Sequence, residues 1–282
     1  MDNIINGLSI VATPIGNLDD ITYRAVNVIG ECDIIICENP KHSLKLLNKL
    51  GIKKKLIALH DYNEHKIIDQ VKNLLKNKNC VLVSDAGSPL ISDPGYNLVQ
   101  YCIANNIRVT SLPGPSSIVS GLQLSGLPIS EFAFFGFVPK SKKKMEDLCK
   151  NISQEKRTCL LFVSSHKLIV FLECLESIMP DRLVSICKEL TKVNEFVFRG
   201  VSSRVKNNLL SNKENIKGEF VAVIDRQELK NQDFDEIDLY KTEVKKLANK
   251  FSLTDTVEIV HKIGNIGKKQ LYEKVLEIQN EI

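Results

Sequence analysis

No run of this 282-residue sequence approaches the roughly 18 apolar residues of a membrane-spanning helix. The N-terminus has no basic segment leading into an apolar one, so no secretory signal is expected. A GxGxxG fingerprint is missing after the first strand-like segment, and GxxxxGK followed by Ser or Thr occurs nowhere. A dinucleotide site of Rossmann type and a phosphate-loop hydrolase are both excluded on that ground. Eight cysteines are scattered without a CxxC pair. They read as reduced core thiols of a cytoplasmic protein, not as a disulfide frame or zinc site. His60, His65 and His166 lack metal-ligand spacing, and there is no HExxH, so no metal is expected. No internal repeat is visible.

What is present is ordinary in bulk and uneven in detail. Hydrophobic residues make up 43% and charged residues 26%, as in a globular protein. The length suits two domains and a small third. Net charge is only +4, yet residues 41–55 hold six lysines and no acid. Residues 138–157 hold six lysines and one arginine against three acids. Two such clusters beside candidate site loops suit a polyanionic partner.

In the first half, Leu8–Ala12, Cys32–Cys37, Cys80–Ser84 and Arg108–Leu112 read as buried strands. Asp20–Gly30, Lys41–Leu50, Glu64–Lys76 and Gly95–Asn105 read as helices. Strands alternating with helices predict a mostly parallel sheet covered on both faces. Pro113-Gly-Pro115 breaks the pattern and places a boundary there, giving an α/β domain over 1–114. A second α/β domain over 115–226 reads as a mixed sheet. Its strands are Phe132–Val138, Thr158–Val163, Leu183–Lys188 and Phe220–Ile224, with a short one at Phe196–Arg199. Its helices are Lys142–Asn151, Lys167–Ile178 and Val201–Leu210. Polar residues 227–240 read as a linker. A helical extension over 241–282 follows, with helices at Lys241–Lys250, Thr254–Lys262 and Lys268–Gln279. Its apolar stripe runs Val257, Ile259, Val260, Ile263, Leu271, Val275 and Leu276.

The most informative stretch is Val81-Leu-Val-Ser-Asp-Ala-Gly-Ser-Pro-Leu-Ile-Ser-Asp-Pro-Gly95. A strand opening into a loop of small, polar and proline residues is where an α/β sheet places a ligand. Asp85 and Asp93 offer carboxylates at the loop's two ends. Ser92 or Asp93 reads as the N-cap of the next helix, with Pro94 at its first position. Val11-Ala-Thr-Pro-Ile-Gly-Asn17 makes a second tight polar turn at a strand end.

These segments resemble the ribosomal RNA small subunit methyltransferase I family. Leu112-Pro-Gly-Pro-Ser116, Ser125-Gly-Leu-Pro128, Phe134-Phe-Gly-Phe-Val-Pro139 and Lys188-Glu-Leu-Thr-Lys192 match in the same order. So do Glu195, Arg199-Gly200 and Lys268-Lys-Gln-Leu-Tyr272. The family's Glu-Asp-Thr-Arg tetrad stands here as Glu38-Asn39-Pro40-Lys41. Its Glu-Ser-Pro-His-Arg stretch stands as Val163-Ser-Ser-His-Lys167, and its frequent His-Glu-Glu as Asn194-Glu195-Phe196.

The resemblance implies a two-domain tetrapyrrole-methylase-like fold, the class III methyltransferase architecture, with a helical C-terminal extension. It implies S-adenosyl-L-methionine as cofactor and 2′-O-methylation of a cytidine in 16S rRNA of the small subunit. It also implies a homodimer. Cofactor-binding positions carried over are Thr13, Pro14, Gly16, Asp85, Ala86, Gly87, Ser88, Pro113, Gly114, Ser116 and Ser117. A ribose hydroxyl is a weak nucleophile, so transfer needs a base or a nearby cation. Glu38 and Glu64 are expected near the acceptor, and Lys192 near RNA phosphate. Two other readings share the fold: a methylase of a small tetrapyrrole or precorrin, and a noncatalytic RNA-binding assembly protein. Aromatic residues at 132–137 read as a strand with one side in the core, not a base-stacking platform.

Overall fold

The computed structural model describes residues 6–227, 241–264 and 268–280. The chain forms two compact units, residues 1–227 and 228–282. The first unit holds two five-stranded sheets. Strands Gly7–Val11 (β1), Ile34–Cys37 (β2), Lys55–Ala58 (β3), Asn79–Val83 (β4) and Val109–Leu112 (β5) pair in the order β3-β2-β4-β1-β5. Every pairing is parallel.

Four consecutive apolar residues, Ile34 to Cys37, are all buried because both faces of this sheet are covered. Alternate residues go to opposite sides. Ile35, Cys37, Val81 and Val83 pack with Ala25, Val28 and Ile29 of helix Tyr23–Glu31 (α1) and Leu47 of helix Pro40–Lys49 (α2). Ile34, Ile36, Cys80 and Leu82 pack with Val71 of helix Glu64–Asn77 (α3) and Leu98 of helix Tyr96–Ala104 (α4). The edge strand β3 has no counterpart in the sequence reading. It is four residues long, opens on an exposed lysine and buries only Ile57 fully, so it lacks the continuous apolar signal of its neighbours.

The start of α4 differs from expectation. The helix begins at Tyr96 with Gly95 in the N-cap position, at φ 123°. Neither Ser92 nor Asp93 caps it, and Pro94 lies before the helix. The cap comes from elsewhere in the chain. Leu98 N–H donates to Glu64 Oε1 at 3.0 Å, and Asn97 Nδ2 donates to Glu64 Oε2 at 3.0 Å. A carboxylate at a helix N-terminus satisfies amides that have no intrahelical partner.

Past Pro113–Pro115 comes helix Ser117–Ser125 (α5), which packs on the second sheet. That sheet comprises Phe132–Phe137 (β6), Thr158–Ser164 (β7), Leu183–Lys188 (β8), Phe196–Val201 (β9) and Glu219–Ile224 (β10), in the order β6-β7-β10-β8-β9. β6 and β7 are parallel and the other pairs antiparallel, a mixed sheet as the irregular spacing suggests. One face packs on helices Lys142–Gln154 (α6), Ser165–Ile178 (α7) and Ser202–Leu210 (α8), through Met145, Phe171 and Val205 among others. The other face carries Leu160, Val221 and Val223 against Leu122 of α5.

The second unit contains helices Lys241–Ala248 (α9), Leu253–Gly264 (α10) and Lys268–Asn280 (α11). Val244, Val257, Val260, Leu271, Val275 and Ile278 form its own core. Leu276 of the anticipated stripe is exposed, and the side chain of Ile263 lies outside the described residues. Most of the anticipated linker lies outside them too. All eight cysteines are buried and free. Among the described residues no helix is long and apolar enough to cross a membrane.

Candidate active site

A crevice of about 480 Å³ opens at the carboxyl ends of β2 and β4 and extends to the second sheet. That volume lies within the range of small-molecule sites. Its first wall is Glu38, the loop Asp85–Ser88, and Ile91, Ser92 and Asp93. Ser116, Ser117 and Ile118 bring in the start of α5. The opposite wall is Phe137, the end of β7 through His166, Leu190, and the Gly218–Val221 segment.

The first wall is held in an unusual shape. Thr13 N–H donates to the Gly87 carbonyl and Gly87 N–H to the Thr13 carbonyl, each at 2.9 Å. Gly87 takes φ 77°, which suits a residue with no Cβ. Ser84 Oγ lies 3.3 Å from the carbonyls of both Ala86 and Gly87. Two residues with side chains also adopt positive φ here, Leu90 at 75° and Ser92 at 67°. Each such residue costs about 1–3 kcal/mol, and strain of this kind concentrates at ligand sites.

Three carboxylates meet on that wall. Burial pushes the Asp93 carboxyl up to about 6, a bond from Ser84 acts against the shift, and the charges of Glu38 and Asp85 add to it. Burial raises Glu38 as well, followed by the charge of Asp85. Asp85 is anchored through Oδ1, which accepts the Asn39 N–H at 3.2 Å. Asn39 in turn caps α2 by accepting the Lys41 N–H, with Pro40 at the first helical turn. This explains the altered tetrad at 38–41. Asn serves the N-cap as well as Asp does, and Pro fits the first helical position.

The expected site residues fall into groups. Glu38, Asp85, Ala86, Gly87, Ser88, Ser116 and Ser117 line the crevice. Thr13 and Pro14 border a separate cavity of about 110 Å³ on the α1 and α2 side. Thr13 acts on the crevice through its bridge to Gly87. Gly16 is a place of close approach: a Cβ there would lie 2.6 Å from Lys192 Cγ and 2.8 Å from the Leu190 carbonyl oxygen. Beside it, Asn17 N–H donates to Thr191 Oγ1 at 3.0 Å. The 13–17 turn therefore clamps the first sheet's loops to the 190–192 segment. Pro113 and Gly114 are outside the crevice lining, and Gly114 packs its backbone on Ala12.

Two of the three expected catalytic residues are placed differently from expectation. Glu64 is 4% exposed and both its oxygens are occupied by the α4 N-terminus. It is a capping group and does not line the crevice. Lys192 Nζ is held by Glu189 Oε1 and Glu219 Oε2, each at 2.9 Å. It fixes the crevice rim and is not presented as a lone cation. Phe137, Phe162, Ser164, Ser165, His166 and Glu219 join the lining without a signal in the sequence, and Asp93 joins it from the end of the loop already marked as ligand-placing. Of the two readings of Asp93, the loop carboxylate is the one the structure uses; the N-cap position belongs to Gly95. Phe137 sits beyond a register shift in β6, which turns it out of the strict alternation.

A parallel sheet whose strand-end loops face a second, mixed sheet across a ligand-sized crevice defines the fold of the tetrapyrrole methylases. The sequence matches the family model of tetrapyrrole (corrin/porphyrin) methylases over residues 7–206. The ribosomal RNA small subunit methyltransferase I of Buchnera aphidicola subsp. Schizaphis graminum is 38% identical over 274 residues, covering 96% of this chain and 95% of its own. The protein of that name from Thermotoga maritima is 41% identical over 222 residues, covering 78% of this chain and 99% of its own. Among solved structures, diphthine synthase superposes with a TM-score of 0.59 at 15% identity, over 77% of this chain and 89% of its own. The chain belongs to the tetrapyrrole methylase family, within its branch of ribosomal RNA small subunit methyltransferases I.

Proposed function

We propose that this protein transfers a methyl group from S-adenosyl-L-methionine to the 2′-hydroxyl of a cytidine in 16S rRNA of the small ribosomal subunit. The observation that carries the reading is the crevice itself, formed by strained loops at the carboxyl ends of two parallel strands. The names of its relatives support RNA as the substrate. Bound in the crevice, the donor supplies an electrophilic methyl group. The chain's own residues hold and orient it: the backbone of Asp85–Ser88 and the N-terminus of α5 with Ser116 and Ser117. Free N–H groups at a helix start suit the donor's carboxylate.

Displacement needs the acceptor oxygen in line behind the S–CH3 bond in a site closed to water. The hydroxyl proton must also leave. Glu38 lines the crevice and is less acidic than an ordinary carboxylate, so it is the proposed proton acceptor. Lys192 positions Glu219 and the 189–192 turn at the rim. Glu64 has no part in the chemistry. The lysine-rich segments 41–55 and 140–144 serve RNA backbone contact, and the protein works in the cytoplasm as a homodimer.

The test is transfer of labelled methyl to small subunits purified from cells that lack the protein, followed by nuclease digestion. Label in 2′-O-methylcytidine is expected. Label in a base, or label accepted only by a porphyrinogen, overturns the reading.

A further inference from the structure

The crevice has a charge character that its size does not require. Its described lining includes four carboxylates, Glu38, Asp85, Asp93 and Glu219, and neither lysine nor arginine. His166 is the single histidine of that lining. Lys192, just outside, is engaged by Glu189 and Glu219. Independently, Phe137 and Phe162 face the same space edge to face, with ring centres 5.2 Å apart. Aromatic faces and carboxylates without competing cations are what an organic cation requires.

Methyl transfer to oxygen forms a C–O bond and breaks the C–S bond, leaving its electron pair on sulfur. The sulfonium of the donor becomes a neutral thioether in the product. The amino and carboxyl groups of the amino-acid portion, and the adenosine, are common to both. The two ligands differ by the methyl group and by one unit of charge at sulfur.

We propose that the carboxylate and aromatic lining selects the sulfonium, so that S-adenosylmethionine binds more tightly than S-adenosylhomocysteine and spent product is released. The inference rests on the proposed function. Its pH dependence follows from the groups around Asp93. Asp93 itself titrates near 6, and Glu38 at the β2 end is also raised. Asp85 at the β4 end acts on both, while Asp61 before α3 and His42 on α2 act on Glu38. Glu219 and His166 face them from the second sheet's side. Acidification neutralises Asp93 and Glu38, the two carboxylates whose acidity burial weakens, and so weakens cation binding.

The experiment is isothermal titration of the full chain with each ligand at about pH 8 and about pH 5, at constant ionic strength. Near pH 8 the donor should bind at least about tenfold more tightly than the product, as expected for one charge acting within several ångströms in a partly dry site. Near pH 5 the ratio should fall below about threefold. The adenosine and the carboxylate are common to both ligands and cancel in the ratio, and a repeat at about pH 7, where the amino group of either ligand is largely an ammonium, removes the difference in amine acidity that the sulfonium causes. Asp93→Asn should bring the pH 8 ratio close to the pH 5 value. Sinefungin, with an amine-bearing carbon in place of the sulfonium, should follow the donor at both pH values, an arm that needs no variant. Equal affinities at pH 8, tighter product binding, or a ratio insensitive to pH overturns the inference and leaves the proposed function standing. Failure of either ligand to bind at any pH overturns both.

Discussion

Replacing Glu64 by glutamine separates a structural carboxylate from a catalytic one. Glu64 is 4% exposed and accepts two hydrogen bonds at 3.0 Å, from Leu98 N–H and Asn97 Nδ2. Glutamine has nearly the same shape but one acceptor oxygen. It can serve one donor, and its NH2 group then faces the other. A hydrogen bond to a charged acceptor contributes about 1.5–3 kcal/mol, so the net cost should be about 2 kcal/mol. Loss of negative charge at the start of α4 acts in the same direction. In a unit of 227 residues, that corresponds to a fall in Tm of about 4–8 °C. Calorimetry measures the shift, and initial rates of methyl transfer at 25 °C on folded protein measure the chemistry. Unchanged kcat with lowered Tm is expected. A loss of turnover above about tenfold with Tm intact would refute the capping role and return Glu64 to the acceptor site.

Gly16→Ala places a methyl group 2.8 Å from the Leu190 carbonyl oxygen, backbone that cannot swing aside, and should cost about 1–3 kcal/mol in thermal or denaturant unfolding. Asp93 is less acidic folded, near 6, than its ordinary 3.8, so its ionisation opposes folding. That penalty is fully present above about pH 6 and absent below about pH 4. Asp93→Asn should therefore raise Tm at about pH 7.5, with the gain fading at about pH 4; a gain that persists in acid would contradict the assignment. Removing residues 228–282 should leave the first unit folded, as judged by circular dichroism. If the lysines of the second unit contact phosphate, the truncation should also flatten the dependence of RNA affinity on salt.

The first sheet was legible wherever a strand is covered on both faces. Ile34–Cys37 and Cys80–Val83 are unbroken apolar runs for that reason. The strand at Lys55–Ala58 was not legible, since an edge strand of four residues beginning with lysine looks like the end of a basic loop. The walls of the crevice were legible in part. Loop composition marked Asp85–Ser88, and strand-end position marked Glu38. Asp93 was legible as a carboxylate of the loop but ambiguous in role, because Ser-Asp-Pro-Gly is also a helix-start pattern. The actual cap, Glu64, is 34 residues from Leu98 in sequence and is brought to α4 only by packing of the two helices. Lys192 was expected near RNA phosphate; its partner Glu189 is three residues away in sequence, but its second partner Glu219 lies on a strand 27 residues further on and only the fold brings it there.

The most direct test is a crystal structure of the protein with S-adenosylmethionine or its demethylated product. The ligand should occupy the crevice, with its amino-acid portion against Ser116 and Ser117 and its sulfur facing the Glu38, Asp85 and Asp93 wall. Ligand lodged at another surface, or a crevice filled by the chain itself at saturating donor, would contradict the account.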